Sequence, residues 1–363
     1  MPINEKSFRI GCGRYLQEKG ILSSCGEEIL VKGKAPLIVG GKTALSLTRN
    51  QIEKSVSDVT KKYRIEQYSG TCNDERAKHF AELAHKENYD VIVGVGGGVI
   101  MDFSKLIGHF AHLPVINIPT SSATCAAYTP LSVRYTPDGR TVGSLHIDRE
   151  VDAVIVDTAI VGAQPTRLFL AGVFDALAKF VEIKQRFNED TTDYPLGLDW
   201  AYALSKHSFY ELMKKTMLAL TDMKKGVVSD TVEQVIFTAM AATGVISGIA
   251  RGSNQCALGH KFYEATRTLF YEESKTYLHG EIVGVGLLLQ NKFNGEEENN
   301  GELLTLMKNY GMPHSLSDIG VRPTAEAFEL YYETLKSGSA IDKSSLSECD
   351  DLRASMKYLW ELK

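Results

Sequence analysis

Between residues 35 and 160 the chain alternates short apolar runs with longer stretches in which apolar positions recur every three or four residues. The runs are Ala35–Val39 (APLIV), Asp90–Val95 (DVIVGV), Val115–Ile118 (VINI) and Ala153–Val156 (AVIV), with a weaker one at Arg64–Ser69. Val- and Ile-rich runs of this length suit strands buried on both faces. Helical spacing covers Gln51–Tyr63, Glu75–Glu87 (with Phe80, Leu83 and Ala84) and Val99–His112. Such alternation predicts a mainly parallel sheet clad by helices on both sides. Ser132–Tyr135 and Val142–His146 flank YTPDGR, whose Pro-Asp-Gly predicts a tight turn between two strands.

After Asp157 the texture changes. Pro165–Phe187, Tyr194–Asp222, Thr231–Ile249, Ala257–Arg267, Gly280–Lys292 and Glu302–Tyr310 all carry helical spacing, and strand signals nearly vanish. The reading is an α/β domain over residues 1–161 and an all-helical domain over 162–363, with GEEENNGE at 295–302 as a polar surface turn. A length of 363 residues suits two cores, since one core rarely grows past about 250–300 residues.

Composition adds exclusions. Apolar residues at 44% and charged residues at 23% are ordinary for a globular protein. A net charge of −5 offers no basic field for nucleic acid or anionic lipid. MPINEKSFRIG lacks the apolar core of a signal peptide, and no uninterrupted apolar stretch approaches the ~18 residues of a membrane span. Cysteines 12, 25, 72, 125, 256 and 349 lie far apart without a C-x-x-C pair, so reduced thiols and a cytoplasmic setting are expected.

The first candidate chemistry is GVGGGVIMDFSK (94–105), with four glycines in five residues directly after a strand run. It matches neither G-x-G-x-x-G, because Val99 stands at the last position, nor the Gly-Lys-Ser/Thr of a triphosphate loop. Two readings are open: a tight turn without a ligand, or a seat for a diphosphate built from bare N–H groups and a helix N-terminus. PTSSATCAAYTPLSVRYTPDG (119–139) favours the second. It follows the next strand and clusters hydroxyls at Thr120, Ser121, Ser122, Thr124 and Thr129. In open α/β sheets ligands gather at the carboxyl ends of the strands, where both segments fall.

The order GGG-x-x-x-D (Gly96, Gly97, Gly98 to Asp102), PT-x-x-A-T (Pro119–Thr124) and LSV-x-Y (Leu131–Tyr135), then AGVFDALAKFVE (171–182) and LHGEIVGVGLL (278–288), resembles the glycerol-dehydrogenase branch of the iron-containing alcohol dehydrogenase family. The matched segments run from about residue 90 to 290. The resemblance implies the fold shared by dehydroquinate synthase and glycerol dehydrogenase: an N-terminal nucleotide-binding α/β domain, an all-helical C-terminal domain, and a site in the cleft between them. It implies NAD(P) as cofactor, with Gly96, Gly97 and Gly98 around the diphosphate and Asp102 in the first turn of the following helix. Thr120, Ser121, Thr129, Leu131 and Tyr135 would line the adenosine and nicotinamide ends. An assembly of identical chains is also expected.

Oxidising a simple alcohol requires loss of its hydroxyl proton as hydride leaves, and a Lewis-acid metal lowers the pKa of that oxygen. The family's D…H…H order implies one divalent metal, zinc or iron, on Asp175, His260 and His279. Asp175 sits in an apolar helical stretch, LFLAGVFDALAKF, and so needs a partner; an ion pair with Lys179 at i+4 is the competing explanation. Two positions depart from the family pattern. Its paired first histidine is absent, because His260 is followed by Tyr263 and Glu264; in the other register Cys256 would be the ligand. Cys125 stands where glycerol dehydrogenases commonly carry an Asp that touches the polyol. A thiol accepts hydrogen bonds poorly. A small 2-oxo or 2-hydroxy acid is therefore expected ahead of glycerol-like diols, with Arg134 and Arg140 on the same segment.

The expected activity is thus an NAD(P)-dependent, metal-assisted interconversion of a small alcohol and a carbonyl. Two alternatives stand beside it. A dehydroquinate-synthase-like lyase would carry Glu where Asp175 stands, and a non-catalytic relative would keep NAD and lose the metal. NADP should be tolerated, because LIVGGK (37–42) places Gly41 and Lys42 where many NAD-specific enzymes carry an Asp.

Overall fold

The computed structural model describes residues 8–187 and 194–362. The chain forms two compact units, one of Arg9–Phe169 with Leu218–Val245, the other of Leu170–Met217 with the residues from Ile246 onward. The first division thus falls at 169/170, inside a helix, where the sequence texture suggests 161. The helical segment 218–245 belongs with the sheet. Local periodicity carries no information on which body a helix joins.

The α/β unit holds a six-stranded, all-parallel sheet. Its strands are β1 (Tyr15–Glu18), β2 (Pro36–Gly41), β3 (Arg64–Tyr68), β4 (Val91–Gly96), β5 (Val115–Pro119) and β8 (Ala153–Asp157). Between β5 and β8, β6 (Leu131–Tyr135) and β7 (Thr141–His146) form a separate antiparallel pair around the expected turn. Every residue of β4, β5 and β8 is buried, which is why these strands read as largely apolar runs, with Asn117 the polar residue inside them. β1 is different: YLQE is mostly half-exposed, pairs with β8 alone and lies at the sheet edge, so it carries no apolar run.

Strand order is β1-β8-β5-β4-β2-β3. From β2 the chain steps outward to β3, then returns past β2 to β4 and continues the other way through β5 and β8. The order therefore reverses between β2 and β4. Two helices start at that point, Lys42–Val59 after N-cap Gly41 and Gly98–Ala111 after N-cap Gly97. Ligands of open parallel sheets sit outside the carboxyl ends at such a reversal.

The second unit is helical. His279–Phe293 is its centre, buried from Gly280 through Asn291, and it packs against Leu258–Leu269 and Leu346–Glu361. Backbone approach is close at two places. A Cβ on Gly280 would lie 1.8 Å from the Ala171 carbonyl oxygen, and one on Gly286 would lie 2.6 Å from that of Gly259. Only glycine permits these contacts. They draw the start of His279–Phe293 against Thr166–Arg186, and its middle against Leu258–Leu269. The segment at 295–302 is less of a loop than its composition suggests, since a helix begins at Asn300, which is buried. One helical run, Asp230–Ala250, is long and apolar enough by length and composition to cross a membrane; half of its apolar window is buried within the protein.

Candidate functional site

The glycine segment forms the turn between β4 and its helix. Gly94 lies under that helix, where a Cβ would come within 2.4 Å of Ser104 Oγ. Farther along, at Gly97, an added Cβ would meet only Ser121 Oγ, at 3.5 Å, and at Gly98 it would meet Thr124 Oγ1 at 3.2 Å. Thr120 donates its amide to the Gly96 carbonyl at 2.9 Å. Gly96, Gly97, Gly98, Thr120, Ser121 and Thr124 thus come together at the carboxyl ends of β4 and β5. No side chain caps the Gly98–Ala111 helix, and its first turn has no acidic residue. Such an N-terminus favours an anion.

Asp102 stands in the second turn of that helix, not the first, and faces into the protein. Its Oδ1 lies 2.9 Å from Lys105 Nζ, and its Oδ2 accepts the Val133 amide at 3.1 Å. Burial pushes this carboxyl up, and the charge of Lys105 opposes the shift. Lys105, itself buried, also donates to the carbonyls of Ala126 (2.7 Å), Thr129 (2.8 Å) and Leu131. Ser122 is held by Gln164 through two hydrogen bonds. The hydroxyl-bearing loop is therefore clamped from beneath by Lys105 and from its start by Gln164. Thr129 and Leu131 meet Lys105 through their backbone oxygens, while the Tyr135 amide is taken by the Cys72 carbonyl. Cys125 is half-buried within this loop, and its carbonyl accepts the amides of Tyr128 and Thr129. Arg134 pairs with Asp74 at 3.0 Å and Arg140 with Asp138 at 3.4 Å.

In the helical unit, Asp175 projects from the Thr166–Arg186 helix between two imidazoles. Its Oδ1 lies 3.3 Å from His260 Nε2 and 3.3 Å from His279 Nε2. The three donor atoms lie within 4.8 Å of one another. Ligands placed ~2.0–2.1 Å from a tetrahedral ion are separated by about 3.4 Å, so this spacing suits one cation. One carboxylate and two imidazoles is a donor set for zinc or iron that leaves a coordination position open. Among the described residues, Cys256 is outside this cluster. Tyr263, one turn beyond His260, packs its ring edge-on against His279 at 4.2 Å between centroids.

Behind the cluster lies Glu182, two turns along from Asp175 on the same helix and fully buried. Its Oε2 is 2.5 Å from His260 Nδ1, while its Oε1 accepts the amides of Ala257 (2.7 Å) and His260 (2.8 Å). Burial opposes charge on Asp175, but hydrogen bonds from His260 and His279 hold its carboxyl well below the usual range. Burial likewise opposes a charged His260, yet Glu182 chiefly holds it well above the ordinary histidine value. Two buried carboxylates beside imidazoles make a locus that a divalent cation would neutralise. Lys179 contributes a field at Asp175, and its Nζ lies 3.3 Å from Gln255 Oε1. Glu182 belongs to the AGVFDALAKFVE segment, but no role attaches to it in sequence. The available signal was its seven-residue spacing from Asp175, which returns it to the same helix face.

Residues 12–158 match the model of the iron-containing alcohol dehydrogenases. A glycerol dehydrogenase of Thermotoga maritima is 30% identical over 326 residues, covering 85% of this chain and 84% of the relative. The chain belongs to the iron-containing alcohol dehydrogenase family. Within it, the resemblance is to the glycerol-dehydrogenase branch. Hydroxycarboxylate dehydrogenase A of Escherichia coli (strain K12) is 26% identical, with all of both chains covered. The structure of a probable glycerol dehydrogenase from Sinorhizobium meliloti 1021 superposes with a TM-score of 0.83 at 23% identity, covering 97% of this chain and 98% of that one. Within this family the protein is a glycerol-dehydrogenase-like oxidoreductase, and the parallel sheet followed by helices is the fold of these enzymes.

Proposed function

We propose that this protein uses NAD(P) and one divalent metal to interconvert a small alcohol and its carbonyl, with a 2-hydroxy or 2-oxo acid as the leading substrate class. The observation that carries the reading is the convergence of Asp175, His260 and His279 at ligand spacing, backed by Glu182. A zinc or iron ion held by these three side chains would supply Lewis acidity to the alcohol oxygen. His260 and His279 would present Nε2, and Glu182 would keep the Nδ1 proton of His260. The amides at the start of Gly98–Ala111, with Thr120 and Ser121 beside them, would seat the cofactor diphosphate. Thr129, Leu131 and Tyr135 belong to the same clamped loop and would border the rest of the dinucleotide. Asp102 would act there by shaping that loop with Lys105.

NADP acceptance is part of the proposal. Gly41 ends β2 at the reversal of strand order, and the exposed Lys42 follows it. No carboxylate stands at either position to repel a 2′-phosphate. The substrate class rests on Cys125, whose neutral thiol replaces a carboxylate and lowers the cost of admitting an anion. An assembly of identical chains is supported by the exposed Trp200 (68%) and Tyr210 (58%) on one long helix. Wide cysteine spacing supports a reducing, cytoplasmic setting.

The test is a matched set of assays on purified protein: metal content, NADH and NADPH titration, and turnover on glycerol, 1,2-propanediol, 2-oxobutanoate and 2-oxoglutarate. One equivalent of metal and fastest reduction of a 2-oxo acid are expected. Fast glycerol turnover without 2-oxo acid reduction would overturn the substrate class. Turnover without metal would overturn the mechanism, and cofactor binding without any turnover would point to a non-catalytic relative.

A further inference from the structure

We infer that Glu182 is a positioning residue that fixes the tautomer of His260 and thereby sets the affinity of the site for its metal. The inference rests on the metal assignment proposed above and deepens it. Glu182 is fully buried and its two oxygens do different work. Oε1 accepts the backbone amides of Ala257 and His260, at 2.7 and 2.8 Å, at the start of the Leu258–Leu269 helix. Oε2 accepts from His260 Nδ1 at 2.5 Å. One carboxylate therefore holds both the main chain and the ring of the same histidine. With one proton kept on Nδ1, the nitrogen that gives up its proton to a metal, and so presents the ligating lone pair, is Nε2, which lies 3.3 Å from Asp175 Oδ1. Asp175 and Glu182 share a helix, so ligand and orienting group move as one rigid piece. Gln290 fixes the same helix start independently, its Oε1 accepting the Leu258 amide at 2.6 Å.

Glu182→Gln separates orientation from folding. The amide oxygen can still accept the two backbone N–H groups, which forces its NH2 toward His260 Nδ1. That nitrogen must then accept, the proton moves to Nε2, and the ligating lone pair is lost. Zinc Kd would be measured on the chelator-stripped full chain by competition with a chromophoric chelator, with thermal melting of the stripped forms as a folding control. E182Q is expected to melt near the parent and to bind zinc 10- to 100-fold more weakly, the range for groups that orient a metal ligand. Zinc affinity within about twofold of the parent would overturn the inference.

A second measurement does not depend on the variant folding. In 15N-histidine spectra of the zinc-loaded parent, His260 is expected to be protonated at Nδ1 and ligated at Nε2; the reverse assignment would overturn the inference. Asp175→Ala and His260→Ala separate the two levels of the argument. If both bind zinc as the parent does, the metal assignment falls and takes this inference with it. If both lose zinc while E182Q retains it, only the role of Glu182 falls.

Discussion

Asp175, His260 and His279 come from three helices, and each is half-buried or buried. If these are the three proposed metal ligands, removing one should cost most of the metal affinity. Alanine at any of the three should therefore abolish stoichiometric metal and reduce turnover to background, as read by elemental analysis and initial rates. Cys256→Ala should keep its metal; an empty site in that variant with a full one in His260→Ala would reverse the ligand register. Gly41 offers a second residue-scale test. Its backbone is extended, with φ −70 and ψ 151, and a Cβ would meet only Ile100 at 3.5 Å, an ordinary contact. Gly41→Asp should fold normally, since Asp is also a favoured N-cap. Its kcat/KM with NADPH should fall at least tenfold relative to NADH. A parent enzyme that favours NAD a hundredfold would defeat the premise. Much at this scale was legible from motif order alone. Glu182 was not, because its meaning lies in an i+7 return to one helix face and in a partner 78 positions away.

Elements show where local pattern suffices and where it stops. β2, β4, β5 and β8 announce themselves because near-complete burial leaves Asn117 as the only polar residue inside their apolar runs. The helix Lys42–Val59 begins nine residues before its periodic part at Gln51, since KTALSLTRN buries only Ala44, Leu45 and Thr48 and its other residues are mostly polar. The same limit hides Ala325–Ser337 and Leu346–Glu361, whose polar faces mask their buried stripes. Two predictions belong here. Gly280→Ala drives a methyl to 1.8 Å from a backbone oxygen, where no rotamer can relieve it. A loss of about 3 kcal/mol in denaturant unfolding is expected, together with weakened metal binding, because His279 moves with the helix start. Lys105→Met removes a buried cation that serves Asp102 and three carbonyls. Leaving Asp102 buried without that partner should cost roughly 3–5 kcal/mol. Dinucleotide affinity should drop with it, as read by NADH fluorescence.

At the level of the whole chain, the proposed cofactor loops and the proposed metal ligands fall in different compact units. Stripping the metal should therefore leave NAD(P)H affinity within a few-fold of the loaded protein, and loss of both together would defeat this expectation. The sheet carries a further consequence, one of time. β1 leaves the ribosome long before β8, the strand it pairs with, with Tyr15 opposite Val154. At synthesis rates of ~5–20 residues per second, that partner follows only after roughly 7–28 s. Through that interval Tyr15–Glu18 is an unpaired strand on a nascent chain, while β2, β3 and β4 already have one another. Its weakly apolar, half-polar sequence is well suited to the wait, because a long greasy edge would recruit neighbouring chains before its own partner arrived.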